Sequence, residues 1–121
     1  MAKTTVKHFE IFKAECEKWI DEFGLKNWVI RIYHESAVND CLASFSARVL
    51  DRVASIFLNK EWKKNEATNY ELSRTAYHEV CHILLLRLQW LAEQRTTCIQ
   101  EIEEEVHNII RILENSHFRK P

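Results

Sequence analysis

The stretch Asn69–Trp90 (NYELSRTAYHEVCHILLLRLQW) constrains this chain more than any other. It holds no Gly or Pro and is rich in Leu, Glu, Arg and Ala, which favour a helix. From Val80 to Leu91 the residues are apolar on nearly every side, the pattern of a helix enclosed by the rest of the fold rather than lying on its surface. Apolar Leu72, Ala76, Val80, Ile83 and Leu84 recur at helical spacing, and Asn69 is the expected N-cap.

At the edge of this segment stands His78-Glu79-Val80-Cys81-His82, an HExxH pentapeptide. Helical residues four apart share a face, so both imidazoles can reach one zinc ion at roughly 2.0–2.1 Å per nitrogen. Glu79 lies about 100° round the helix, placed to act on a water as general base rather than as a ligand. In a chain with six His and many Glu the motif can arise by chance, and the plainer reading of its two histidines is as satisfied core residues. The buried helical context favours the metal, because it offsets the cost of desolvating these polar groups.

A length of 121 residues with 46% hydrophobic composition fits a single domain over 1–121 with a substantial core. The formal net charge of −1 gives no counterion-driven grip on nucleic acid, and no nucleic-acid partner is expected. No apolar run approaches the roughly 18 residues of a membrane helix, and the N-terminal segment lacks the apolar region of a secretory signal. The expectation is a cytoplasmic protein with no membrane association. Cys16, Cys41, Cys81 and Cys98 form no CxxC pair, which argues against a four-thiolate zinc site and for reduced thiols. Cys81 reads as a small core filler.

Along the chain, Val6 to Phe23 places Phe9, Phe12, Cys16, Trp19, Ile20 and Phe23 on one helical face, and Gly24 supplies the stop. Trp28–Tyr33, Cys41–Leu50 and Val53–Leu58 alternate as strands, with turns expected at Asn39-Asp40 and Asp51-Arg52. Asn59 to Asn65 reads as a polar connection holding Trp62. After the HExxH helix and a break at Gln94–Thr97, a last helix spans about Cys98 to Ser116, with Ile99, Ile102, Val106, Ile109, Ile110 and Leu113 as its buried stripe. The order predicts an α+β domain: an N-terminal helix, a three-stranded, mostly antiparallel sheet, the motif helix and a C-terminal helix.

A catalytic zinc needs three protein ligands and an open position. The HExxHxxGxxH plan is excluded, since Leu85 and Leu88 stand where it needs Gly and His. The third ligand then comes from a following helix, and the last helix offers Glu101, Glu103, Glu104, Glu105 and His107. Most of such a charged run is a solvated face. Glu105, on the shoulder of the apolar stripe, is favoured over Glu101, Glu104 and His107, although periodicity leaves the choice open.

Four segments carry a family resemblance: FGLKNWVIRI, ARVLDRVASIFLNKEW, RTAYHEVCHILL and EEEVHNIIRILEN. In these the chain resembles the very small gluzincin-type metallopeptidases, sometimes called minigluzincins, and more closely those encoded in phages and prophages. The resemblance implies a small zincin-like fold and a Zn2+ ion held by His78, His82 and Glu105. It also implies that the strand ending in Ser55-Ile56-Phe57-Leu58 lines the cleft and pairs with an extended peptide or protein substrate, in the host cytoplasm if phage-encoded.

The expected activity is zinc-dependent peptide hydrolysis, with Tyr77, His107 and His117 as candidates to stabilise the oxyanion. The alternative is a non-catalytic or latent zinc-stapled domain acting as a protein-binding or regulatory module, its cleft covered by the tail 117–121 or by a neighbouring molecule. A SprT-like DNA-associated protease is disfavoured by the lack of a basic tail or zinc ribbon. Substrate identity and oligomeric state are not legible in the sequence.

Overall fold

A computed structural model describes residues 2–37, 40–63 and 66–118. In chain order the elements are β1 (Ala2–Lys3), α1 (Val6–Glu22), β2 (Val29–His34), β3 (Ala43–Arg48), β4 (Val53–Leu58), β5 (Glu61–Trp62), α2 (Asn69–Glu93) and α3 (Ile99–His117). The expected α+β class holds: among the described residues three helices accompany a three-stranded mixed sheet. No helix among the described residues is long and apolar enough to cross a membrane.

Helix α1 starts in a capping box: the Thr5 hydroxyl accepts from the His8 amide (3.2 Å), and His8 Nδ1 accepts from the Thr5 amide (3.0 Å). It ends where Gly24 takes φ +64°, with Gly24 N–H donating to Asp21 O and Leu25 N–H to Ile20 O. That closing pattern needs a left-handed residue, which glycine supplies at least cost. Helix α2 begins one residue earlier than expected, because the hydroxyl of Thr68, not the Asn69 amide, accepts from Glu71 N–H (3.2 Å).

The sheet order is β2-β4-β3. β3 and β4 form the expected antiparallel hairpin, with Ala43 opposite Leu58 and Arg48 opposite Val53. Its turn spans residues 49–52, wider than the two residues anticipated, with Arg52 at φ +55°. β2 docks on the other side of β4 in parallel register, Val29 opposite Val53 through His34 opposite Leu58. The sheet therefore has one pairing of each sense rather than a mostly antiparallel set. Ala54, Ile56 and Leu58 on the central strand pack toward Phe12, Cys16, Leu72, Ala76, Val80 and Ile83 of the helices.

Inside the expected polar connection lies β5, paired antiparallel with β1. Two-residue strands carry no periodicity, so neither was visible in sequence. Around them Asn59 is the organising residue, 5% exposed. Its Oδ1 accepts from the amides of Ala37 (3.1 Å) and Glu61 (3.2 Å), and its Nδ2 donates to Cys41 O (2.8 Å). Its own carbonyl accepts from Thr4 Oγ1 at 2.8 Å. Buried Trp62 donates Nε1–H to Leu42 O at 3.1 Å. The strand start at Leu42–Ala43 is thus held from two sides. The turn expected at Asn39-Asp40 falls partly outside the described residues, as do residues 119–121 of the tail.

In α3 the inward residues are Ile109, Ile112 and Leu113 with half-buried Ile102, whereas Ile99, Val106 and Ile110 are exposed. At about 100° per residue the buried face is rotated by roughly 60° from the expected stripe.

Candidate metal centre

His78 and His82 stand one turn apart on α2 with their Nε2 atoms 3.1 Å from each other. Two nitrogens bound at about 2.0–2.1 Å to one tetrahedral ion would lie roughly 3.3 Å apart, so the observed spacing fits a shared metal. Phe45 of β3 stacks on the His82 ring, with centroids 4.8 Å apart and planes 22° apart, and fixes its plane. Burial, then the neighbouring His78, lowers the His82 pKa, which favours the neutral form able to bind a metal.

Glu79 points differently. It is 5% exposed, its Oε2 has no hydrogen-bond partner, and burial pushes its carboxyl up to about 7. An unpaired buried carboxyl oxygen is costly, and such a perturbed group lining a cleft marks a candidate functional residue. Glu79 and His78 both line a cleft of about 360 Å3 between α2 and the start of β3 at Leu42 and Ala43.

The expectation that β4 would pair with a substrate is corrected by the topology. β4 is the central strand and both its edges are taken, by β2 and β3. The strand with an outer edge beside the cleft is β3. Phe45 and Asn59, which orient His82 and the cleft wall, were not singled out in the sequence. Only the inward alternation Ala43, Phe45, Ala47 offered a signal for the first.

The structure does not bring Glu105 to the imidazole pair. Its Oε2 lies 3.5 Å from Arg87 Nε, and its side chain is 12% exposed. Arg87 is nine residues beyond His78, about 180° round α2, so Glu105 meets the opposite face of that helix. The rotation of α3 accounts for this, since it turns the shoulder position inward. Glu101 Oε1 instead accepts from the Cys98 amide (3.2 Å) and closes the start of α3. Glu103 and Glu104 are exposed, and His107 Nδ1 lies 2.9 Å from Glu103 O. Among the described residues no group of three or more His, Cys, Asp or Glu side chains could hold a metal.

The suggested oxyanion partners also stand elsewhere. Tyr77 packs edge-on to Trp19 (4.6 Å between centroids) and against Phe23, and the His117 ring lies 6.4 Å from that of Trp19. Cys81 is half-buried against the core with its thiol pKa raised by burial, as a core filler would be. Comparison of the chain with protein-family models, with curated proteins and with solved structures found no match.

Proposed function

We propose that the chain is a zinc-dependent peptidase of the small gluzincin kind, phage-type members included, acting in the cytoplasm on peptide or protein substrates. One observation carries this reading: two imidazole nitrogens 3.1 Å apart on the helix that also carries a buried, unpartnered carboxyl oxygen. His78 and His82 would supply two of the three protein ligands of such a metal, and no third side chain stands with them among the described residues. Zinc, when bound, would supply Lewis acidity to a water and to the scissile carbonyl. The Glu79 carboxylate, on the wall of the cleft, accepts a hydrogen from a water and takes its proton, which then passes to the leaving amine. The outer edge of β3 offers backbone N–H and C=O groups to an extended chain, so substrate is aligned by strand addition at β3 rather than β4.

Metal analysis of the purified protein, beside peptide digestion followed by mass spectrometry, tests the reading. Wild type should retain zinc, His78→Ala and His82→Ala should lose it, and Glu79→Gln should keep zinc while losing at least a hundredfold in cleavage rate. Equal digestion by wild type and Glu79→Gln would sink it. A second reading, a latent or non-catalytic zinc module, draws support from the Arg87–Glu105 ion pair, which commits the favoured third ligand elsewhere. It predicts zinc retention with no cleavage by wild type.

A further inference from the structure

The cleft beside His78 has a charged wall that the proposed chemistry does not use. Glu71, Arg74 and Thr75 of α2 line it together with His78 and Glu79. The charge of Glu71 has a local explanation: it lies in the first turn of α2, where free N–H groups favour an anion. Arg74 has none. It is exposed, and among the described residues it makes no ion pair. It also borders a second hollow, of about 340 Å3, walled by Trp19, Tyr70 and Tyr77 and by the paired charges of Glu15 and Lys18. Arg74 therefore borders two open concavities, one of which is also lined by Glu79.

We propose that Arg74 is the specificity residue of this cleft and receives a carboxylate of the bound peptide. The proposal rests on the peptidase reading. A planar guanidinium suits a carboxylate because it donates two parallel N–H bonds. Along α2 the four residues from Arg74 to His78 rise about 6 Å. An extended peptide advances roughly 3.3–3.6 Å per residue. The carboxylate therefore lies one or two residues from the bond that is cut. An acidic side chain and a free C-terminus present the same group. The hollow beyond Arg74 leaves room for the chain to continue in the first case.

The test uses the zinc-loaded full chain and two peptide sets. One set is blocked at both ends and differs only in Glu or Gln near a fixed central bond. The other has neutral side chains and a free or amidated C-terminus. Wild type should favour the carboxylate-bearing member of one set by about tenfold or more in kcat/KM, and Arg74→Gln should bring that ratio to about one. The set in which the preference appears identifies the source of the carboxylate. Calorimetry of the same peptides with the Glu79→Gln protein reads binding without cleavage, and the same order is expected there. A preference for neither carboxylate, or one that survives in Arg74→Gln, overturns the proposal. Arg74-dependent binding with no cleavage by wild type would uphold the carboxylate site and overturn the peptidase reading.

Discussion

Glu79 stands at a conflict between folding and chemistry. Its carboxyl is buried, unpartnered and shifted upward to about 7 by desolvation. In an unfolded chain it would titrate near 4.5. Because the folded value is the higher one, its stability contribution is complete below pH 4.5 and is lost as pH rises through 7. The loss amounts to on the order of 3 kcal/mol for the metal-free protein. Glu79→Gln keeps the shape without the charge. Metal-free Glu79→Gln should therefore unfold at higher denaturant than wild type at pH 8, and the gap should close toward pH 5. Equal midpoints at pH 8 would show that the carboxylate is stabilised there by something other than the groups described. His78, Glu79 and His82 were legible in sequence because their spacing is local to one helix. The orphaned oxygen was not, since it depends on β3 and α1 closing over α2.

At the scale of elements, α1, α2, α3 and the β3–β4 hairpin were readable from periodicity and from Gly24. What periodicity could not supply was azimuth and partner. The apolar residues of α3 span a broad arc, and the structure buries Ile109 and Ile112 while leaving Val106 and Ile110 exposed. That rotation decides the fate of Glu105. It also yields an expectation opposite to that of the sequence: Glu105→Ala should retain wild-type zinc content and cost about 1 kcal/mol or less, since half-exposed Arg87 is its partner. Loss of zinc in that variant, measured by metal analysis, would mean that α3 turns when metal binds. The parallel pairing of β2 was hidden for a related reason. Alternation in β2 fixes which face is apolar, not which neighbour it joins.

For the whole molecule, stability rests on the apolar centre built from Phe12, Ile56, Leu58, Trp62, Leu72, Val80 and Ile83, all essentially without solvent contact. Burying each such side chain is worth about 1.5–3 kcal/mol. A metal held by two imidazoles on one helix links no second element, so chelation should leave the far-ultraviolet circular dichroism unchanged. Collapse of that spectrum on adding chelator would instead favour a zinc-stapled fold. Asn59 has a different reach. Through its carbonyl it holds Thr4, and through its amide group it holds Ala37, Cys41 and Glu61. The leading segment and the cleft wall therefore share one fastening. In hydrogen exchange the amides of Thr4, Ala37 and Glu61 should become labile together, so whatever loosens the front of the chain also unlatches the floor on which a substrate would lie.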